Sequence, residues 1–169
     1  MNNGQKTVAI GAASGVALMA LSVWGLYSIV PDPGAVDMID RLAFTLRLNV
    51  LALVPLFILI VTVGNQRFLS EAIDPLRHAE NTKMEINGRV VENTLQQQFI
   101  FCVGTLALST LLTATSIKLI AALTTVYIVA RVIFWIGYHI NPLYRAPGMA
   151  ATGYMNLGII AAVLYLTFF

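Results

Sequence analysis

The sequence predicts an all-α integral membrane protein whose helices cross the bilayer five times. Its composition is the first reason: 58% of the 169 residues are hydrophobic and 11% are charged, whereas soluble domains carry roughly 25% charged residues. The second reason is the presence of five apolar runs near the roughly 20 residues that a spanning helix needs. They lie at about residues 7–30, 42–63, 87–114, 117–139 and 149–169. They do not alternate in hydrophobicity as barrel strands do, so we expect helices, which satisfy their own backbone hydrogen bonds in lipid.

The first predicted helix is expected to stay in the membrane and not to be cleaved. It follows a short polar segment with one cation, Lys6, but its apolar run exceeds the roughly 7–15 residues of a secretory signal. It contains Gly11 and Gly15, and small residues four positions apart allow two helices to approach closely. We therefore expect this helix to cover the bundle or to meet a membrane-protein partner through the two glycines.

The connections separate the remaining helices. Proline and glycine within residues 31–34 end the first helix, because proline stops a helix and glycine turns the chain. The one sizeable polar loop, residues 65–85, separates the second helix from the third, and the first half of the third helix is itself polar. Short turns at residues 116–118 and 141–148 lead into the fourth and fifth helices.

Lysine and arginine near the helix ends predict the orientation of the chain. Six cations collect on the side of the N-terminus and three on the other side, so we expect the N-terminus and the polar loop in the cytosol and the C-terminus outside. The sequence leaves a bacterial inner membrane and an endomembrane equally open. A net charge of +2 is too small to indicate a nucleic-acid partner. The larger group of cations is Lys6, Arg67, Arg77, Lys83, Arg89 and Arg145, and the smaller is Arg41, Arg47 and Lys118.

Two clusters of polar residues lie at membrane depth, where ionisable groups are costly and usually functional. In the third helix, Arg89, Asn93 and Gln96 are spaced i, i+4, i+7 and share one face. The alternative is the solvated polar end of a helix that leaves the bilayer. Either way, this face can meet the second cluster if the two helices are antiparallel neighbours.

The second cluster closes the fourth helix, where Arg131, Trp135 and Tyr138 share a face and Arg145 follows. The alternative is an aromatic belt with a cation that reaches the headgroups. That alternative explains Trp135, Tyr138 and Tyr144, but Arg131 lies about two turns from the helix end. Together the clusters form a candidate pocket for a small anion, since guanidinium groups bind carboxylates in a bidentate manner.

These residues resemble the signatures of the MAPEG family, membrane-associated proteins of eicosanoid and glutathione metabolism. The third helix contains Arg89-Val-Val-Glu-Asn93-Thr-Leu-Gln96, which is similar to the family's Arg-x-x-x-Asn-x-x-Glu. The fourth contains Arg131-Val-Ile-Phe134-Trp-Ile-Gly137-Tyr138, with Arg145 seven residues on. That segment is similar to Arg-x-x-Tyr-x-x-Gly-Tyr with its downstream arginine. The resemblance covers about residues 45–169.

The resemblance implies a four-helix bundle at residues 42–169, preceded at residues 1–41 by one additional helix and its loop. It also implies a homotrimer that holds glutathione between subunits near the cytosolic face. Arg145 would stabilise the glutathione thiolate, and the chemistry needs no metal. The other residues expected to contact glutathione are Arg67, Arg89, Asn93, Gln96, Arg131 and Tyr138.

Several positions depart from the family pattern. The acid of the first signature is Gln96 and its aromatic neighbour is Gln97, while the first tyrosine of the second signature is Phe134. Glu92 is close in sequence, but it points about 40° away from Gln96 on a helix with roughly 3.6 residues per turn. Its expected role is to pair with Arg89 or Arg131.

Three functions follow as hypotheses. The first is a glutathione transferase or peroxidase that acts on lipophilic electrophiles or lipid hydroperoxides. The second is a non-catalytic member of the same fold that regulates or scaffolds other membrane proteins. The third is a lipid-binding protein in which Arg131 and Arg145 meet phosphate headgroups.

Overall fold

The computed structural model describes the backbone of all 169 residues and the side chains of all except Pro75. The described chain is helical, as predicted, and it contains the five expected long helices in the expected order. Short 3-10 turns at Glu71–Ile73, Pro75–Arg77 and Pro142–Arg145 occupy the connections. The helices are α1 (Asn3–Ile29), α2 (Met38–Phe68), α3 (Thr82–Leu111), α4 (Lys118–Ile140) and α5 (Ala146–Phe168).

The helices α1, α2 and α3 begin before the apolar runs that predicted them, because polar side chains cap them. The Asn2 side chain accepts a hydrogen bond from the Gln5 backbone amide at 2.8 Å, and Gln5 Oε1 accepts one from the Asn2 amide at 2.9 Å. This reciprocal pair satisfies amides that a helix start leaves free. Asp37 caps α2 and Asn81 caps α3 through the same kind of side-chain acceptor.

Four of the five helices are long and apolar enough to cross a membrane: α1, α2, α4 and α5 with its preceding turn. The fifth, α3, has the polar first half that the sequence predicted. It nevertheless packs against α2, α4 and α5, so it belongs to the bundle. The chain is therefore a multi-pass membrane protein built from five helices.

Successive helices from α2 to α5 run antiparallel, and contacts between them define the two ends of the bundle. At one end, the Arg145 end, Asn87 near the start of α3 contacts Gln66 of α2. At the other, the Lys118 end, Arg41 near the start of α2 donates to the backbone carbonyl of Ser109 in α3 at 3.3 Å. The start of the first signature, in α3, and the end of the second, in α4, therefore lie at the Arg145 end. The other residues of the two signatures lie nearer the middle of the membrane.

Two buried clusters hold α2 to α5 together. In the larger one, the rings of Phe101 and Tyr127 stack with centroids 4.3 Å apart. The smaller one lies nearer the Arg145 end and joins Leu59, Val90, Phe134 and Tyr138. Aromatic side chains bury large areas, so these contacts account for much of the packing energy.

The additional helix α1 lies against α4 and α5, and its glycines explain how. Gly15 is buried, and a Cβ at this position would overlap the backbone carbonyl of Pro147 at the start of α5. A Cβ added at Gly11 would lie 3.2 Å from Pro147 Cδ and 3.3 Å from Ala146 Cβ, closer than ordinary van der Waals contact. Gly11 and Gly15 therefore pack α1 against the chain's own bundle. A membrane-protein partner of α1 stays a prediction, and it would meet the exposed face around Leu18 and Trp24.

Candidate functional site and its buried support

Arg131 is buried in the interior of the bundle, with 1% of its surface exposed. Its Nη2 donates to Thr94 Oγ1 at 2.6 Å and to Asn93 Oδ1 at 3.0 Å, and its Nη1 donates to Thr152 Oγ1 at 3.2 Å. The guanidinium also lies 4.2 Å from the centroid of the Phe134 ring, a favourable cation–π distance. Arg131 therefore ties α4 to both α3 and α5.

This placement corrects two expectations for Arg131. The lipid-binding hypothesis required Arg131 to reach lipid headgroups, and it does not, because its side chain is buried. Its partners are amide and hydroxyl oxygens, so the expected pairing with Glu92 is wrong. Among the described side chains the ion pairs are Arg67–Glu80 and Arg77–Asp74, so Arg89 is not paired with Glu92 either. Glu92 is exposed, whereas Arg131 is buried.

The predicted polar face of α3 is present, and it is largely exposed. Arg89 and Gln96 are exposed, while Asn93 between them is half-buried because its amide oxygen accepts from Arg131. Gln96 lies near the middle of α3. Polar side chains at membrane depth are costly when they face lipid, so this face requires a polar cover.

Tyr138 and Arg145 are brought together at the end of α4. Arg145 Nη1 donates to the Tyr138 hydroxyl at 2.9 Å, and the guanidinium lies 5.1 Å from the centroid of the same ring. Tyr138 is buried, whereas Arg145 is exposed. The close turn is possible because Gly137 leaves room for the backbone carbonyl of Tyr144. The arrangement orients an arginine and leaves its remaining N–H groups available to a ligand.

Arg67 also lies at the Arg145 end, in the last turn of α2. Its Nη2 contacts Glu80 Oε1 at 3.0 Å, and both side chains are partly exposed. The structure thus places the guanidinium at the same end of the bundle as Arg145, with a carboxylate already beside it. A glutathione contact by Arg67 stays a prediction.

The sequence reading missed Asn87, which is buried between α2, α3 and α4. Its Oδ1 accepts from Trp135 Nε1 at 2.9 Å and lies 2.7 Å from His139 Nε2, while its Nδ2 donates to Gln66 Oε1 at 3.1 Å. Trp135, which is partly exposed, is therefore fixed to α3 by this bond and is not a simple interfacial anchor. The available signal was the i, i+4 spacing of Trp135 and His139.

Replacing Asn87 with leucine should destabilise the Arg145 end of the bundle. The substitution leaves the Trp135 and Gln66 groups without their partner, and an unsatisfied buried polar group costs about 1–3 kcal/mol. Thermal melting of the detergent-purified protein measures the loss. Asn65→Leu, at an exposed position of α2, is the matched control and should change stability by at most about 0.5 kcal/mol. Equal effects of the two substitutions would contradict the role assigned to Asn87.

An apolar groove lies beside the polar face of α3, between α1, α3 and α5. Its volume is about 440 Å³, and it is lined by Gln97 together with residues such as Met149 and Tyr154. Gln97 accepts two hydrogen bonds from Asn156 Nδ2, one on its side chain and one on its backbone carbonyl. Because Gln97 lies one turn from Asn93, the groove and the polar face adjoin each other.

Comparison with known proteins identifies the family. The model of the MAPEG family matches residues 45–165. The chain belongs to the MAPEG family. The match begins in α2, so α1 lies outside it, and the matched MAPEG region contains both signatures.

Two relatives of this MAPEG protein are both called Transmembrane protein 79. The protein from Mus musculus is 26% identical over 148 residues, which cover 86% of this chain and 38% of the relative. The protein from Bos taurus is 26% identical over 150 residues, which cover 88% of this chain and 37% of the relative. The chain thus spans less than two fifths of the length of these relatives. No solved structure matches the chain significantly.

Proposed function

We propose that this MAPEG protein binds glutathione at the Arg145 end and uses its thiolate against lipophilic electrophiles or lipid hydroperoxides. The observation that carries the proposal is the pair formed by Arg145 and Tyr138. A buried hydroxyl holds the exposed guanidinium at 2.9 Å, at the same end of the bundle as the exposed Arg89.

The chemistry of the pair suits a thiolate. A free thiol has a pKa of roughly 8.5, and a neighbouring positive charge favours the anion. Arg145 uses one N–H group on Tyr138 and can direct others towards a sulfur anion. The lipophilic partner would enter from the bilayer, for which the groove next to Gln97 offers an apolar path.

The polar face of α3 supplies the groups that would hold the peptide. Arg89 can bind a carboxylate in a bidentate manner. Asn93 has its amide oxygen occupied by Arg131, so its Nδ2 group is the donor that a ligand would use. Gln96 offers a neutral amide where the family pattern has an acid, so the ligand's amino group would be bound without an ion pair.

We further propose that copies of the chain cover this face by assembling as a homotrimer, with glutathione between them. Exposed polar groups near mid-membrane are unfavourable against lipid, and a second copy would supply both cover and further ligand contacts. In the same proposal the Arg145 end faces the cytosol, in agreement with the excess of lysine and arginine there.

Isothermal titration of glutathione into the detergent-purified protein tests binding. We expect Arg89→Ala to weaken binding by at least about tenfold, because a charge-assisted bond contributes roughly 1.5–3 kcal/mol. Arg47→Ala is the matched control, since Arg47 is an exposed arginine nearer the Lys118 end, and it should leave affinity unchanged. Absence of binding to the wild-type protein would overturn the proposal.

Arg145→Ala separates binding from activation. We expect this variant to keep most of its affinity and to lose the ultraviolet absorbance of the bound thiolate, together with turnover of a standard electrophile. A variant with unchanged thiolate absorbance would show that Arg145 does not stabilise the anion.

A non-catalytic role is the second candidate, and specific observations favour it. Gln96 lacks the acid's charge, and Phe134, which lacks the tyrosine hydroxyl, is buried against Arg131. The exposed face of α1 could then meet another membrane protein. Failure of glutathione binding, combined with co-purification of a partner that is lost in Trp24→Ala, would favour this function.

A further inference from the structure

A second apolar groove lies between α1, α4 and α5, towards the Lys118 end, and it plays no part in the proposed glutathione chemistry. Its volume is about 400 Å³, within the roughly 300–1,000 Å³ of typical ligand sites. All three helices are long and apolar enough to cross the membrane, so the groove opens towards lipid. Its walls include Trp24, Tyr27, Leu119, Leu123, Met155 and Gly158.

The two halves of α1 contact the bundle differently, and the groove lies beside the second half. Near the Arg145 end, Gly11 and Gly15 allow α1 to touch Pro147. Nearer the Lys118 end α1 has larger side chains, of which Met19, Val23 and Leu26 pack against the core while Trp24 stays exposed. Gly158 faces this space, and a Cβ added there would have no atom within 4 Å.

A cation lies at the end of the groove. The Lys118 ammonium is 4.7 Å from the centroid of the Tyr27 ring, and both Tyr27 and Leu119, the neighbour of Lys118, line the groove. The ion pairs among the described side chains use Arg67 and Arg77 at the opposite end. Lys118 is also the first residue of α4, whose N-cap Ile117 provides no side-chain cap, so the positive end of the helix dipole adds to its charge.

We propose that this groove binds one acyl chain of an anionic phospholipid whose phosphate contacts Lys118. The apolar walls match the acyl chain, and the lysine at the mouth matches the phosphate. The bound lipid would fill the space between α1 and α5 and so add to the contacts that the second half of α1 makes with the bundle. The site is specific to a chain that carries this additional helix.

Native mass spectrometry of the full chain tests the proposal. The protein is released from micelles that contain equal amounts of phosphatidylglycerol and phosphatidylcholine with identical acyl chains. We expect the wild type to retain about fivefold more phosphatidylglycerol, the preference that one lysine provides for anionic lipid. Lys118→Gln should remove the preference while lipid of both kinds is still retained.

A second variant tests the groove itself. Gly158→Leu places a side chain in the empty space and should abolish the retained lipid. Gly25→Leu adds the same side chain to α1 at a position that does not line the groove and also has no atom within 4 Å, so retention should persist. An unchanged lipid preference in Lys118→Gln, or full retention in a Gly158→Leu protein that melts like the wild type, would overturn the proposal.

Discussion

Arg131→Met is expected to lower the free energy of unfolding by roughly 3 kcal/mol. Hydrogen bonds from a charged donor contribute about 1.5–3 kcal/mol each. Part of the lost stability is regained because the substitution also removes a buried charge. Three such bonds reach Asn93, Thr94 and Thr152. Methionine fills a similar volume but provides none of them. The loss therefore falls on the contacts of α4 with α3 and α5.

Membrane insertion should respond in the opposite direction. An arginine near the middle of a spanning helix raises the cost of insertion by about 2.5–3.5 kcal/mol, so methionine makes insertion of α4 easier. The measurement must therefore follow the assembled protein, by thermal melting or detergent-induced unfolding after purification. An increase in the melting temperature would show that burying the charge destabilises the fold by more free energy than the hydrogen bonds of Arg131 contribute.

The control for Arg131 is Arg47→Met, the same substitution at an exposed position of α2. It should change stability by at most about 0.5 kcal/mol. Arg131→Lys is a second comparison, because lysine keeps the charge but lacks the planar fork that reaches several oxygens at once. We expect its stability to lie between the wild type and Arg131→Met.

The helices could be predicted from the sequence because lipid imposes a local requirement. Each spanning segment needs its own apolar run, and those runs are visible without any knowledge of tertiary contacts. The i, i+4, i+7 spacing likewise placed Arg89, Asn93 and Gln96 on one face of α3. Helix starts were less accurate, because Asp37 and Asn81 extend α2 and α3 into polar sequence that hydropathy does not score.

The partners of buried polar groups could not be predicted in the same way. Arg131 lies 37 residues from Thr94 and 21 from Thr152, and no local pattern indicates which hydroxyl it reaches. Asn87 joins Gln66, Trp135 and His139 across three helices. Such contacts depend on how far each helix is rotated about its axis, and a hydrophobic run defines that rotation poorly.

Gly148→Ala is expected to be among the most damaging substitutions that add a single methyl group to the chain. A Cβ at this position would overlap the backbone carbonyl of Ala130 and lie 2.8 Å from Phe134 Cα. These are backbone atoms of α4, so no side chain can rotate to make room. Overpacking typically costs about 1–3 kcal/mol, and we expect the upper part of that range in thermal unfolding.

Gly153→Ala is the matched control on the same helix, because a Cβ there has no atom within 4 Å. It should be neutral or stabilise α5 by up to about 1 kcal/mol, since glycine weakens a helix interior relative to alanine. Similar melting temperatures for the two variants would contradict the close approach of α4 and α5.

The two largest effects should also be coupled. Thr152 lies one turn after Gly148, donates to its carbonyl at 3.1 Å and accepts from Arg131 at 3.2 Å. If Gly148→Ala moves α5 away from α4, the hydrogen bond between Arg131 and Thr152 is already weakened in that single variant. Arg131→Met should then cost less in the Gly148→Ala background than in the wild type, and residues in contact typically show couplings of about 0.5–3 kcal/mol. Strict additivity in this double-mutant cycle would mean that α4 and α5 are joined by independent contacts.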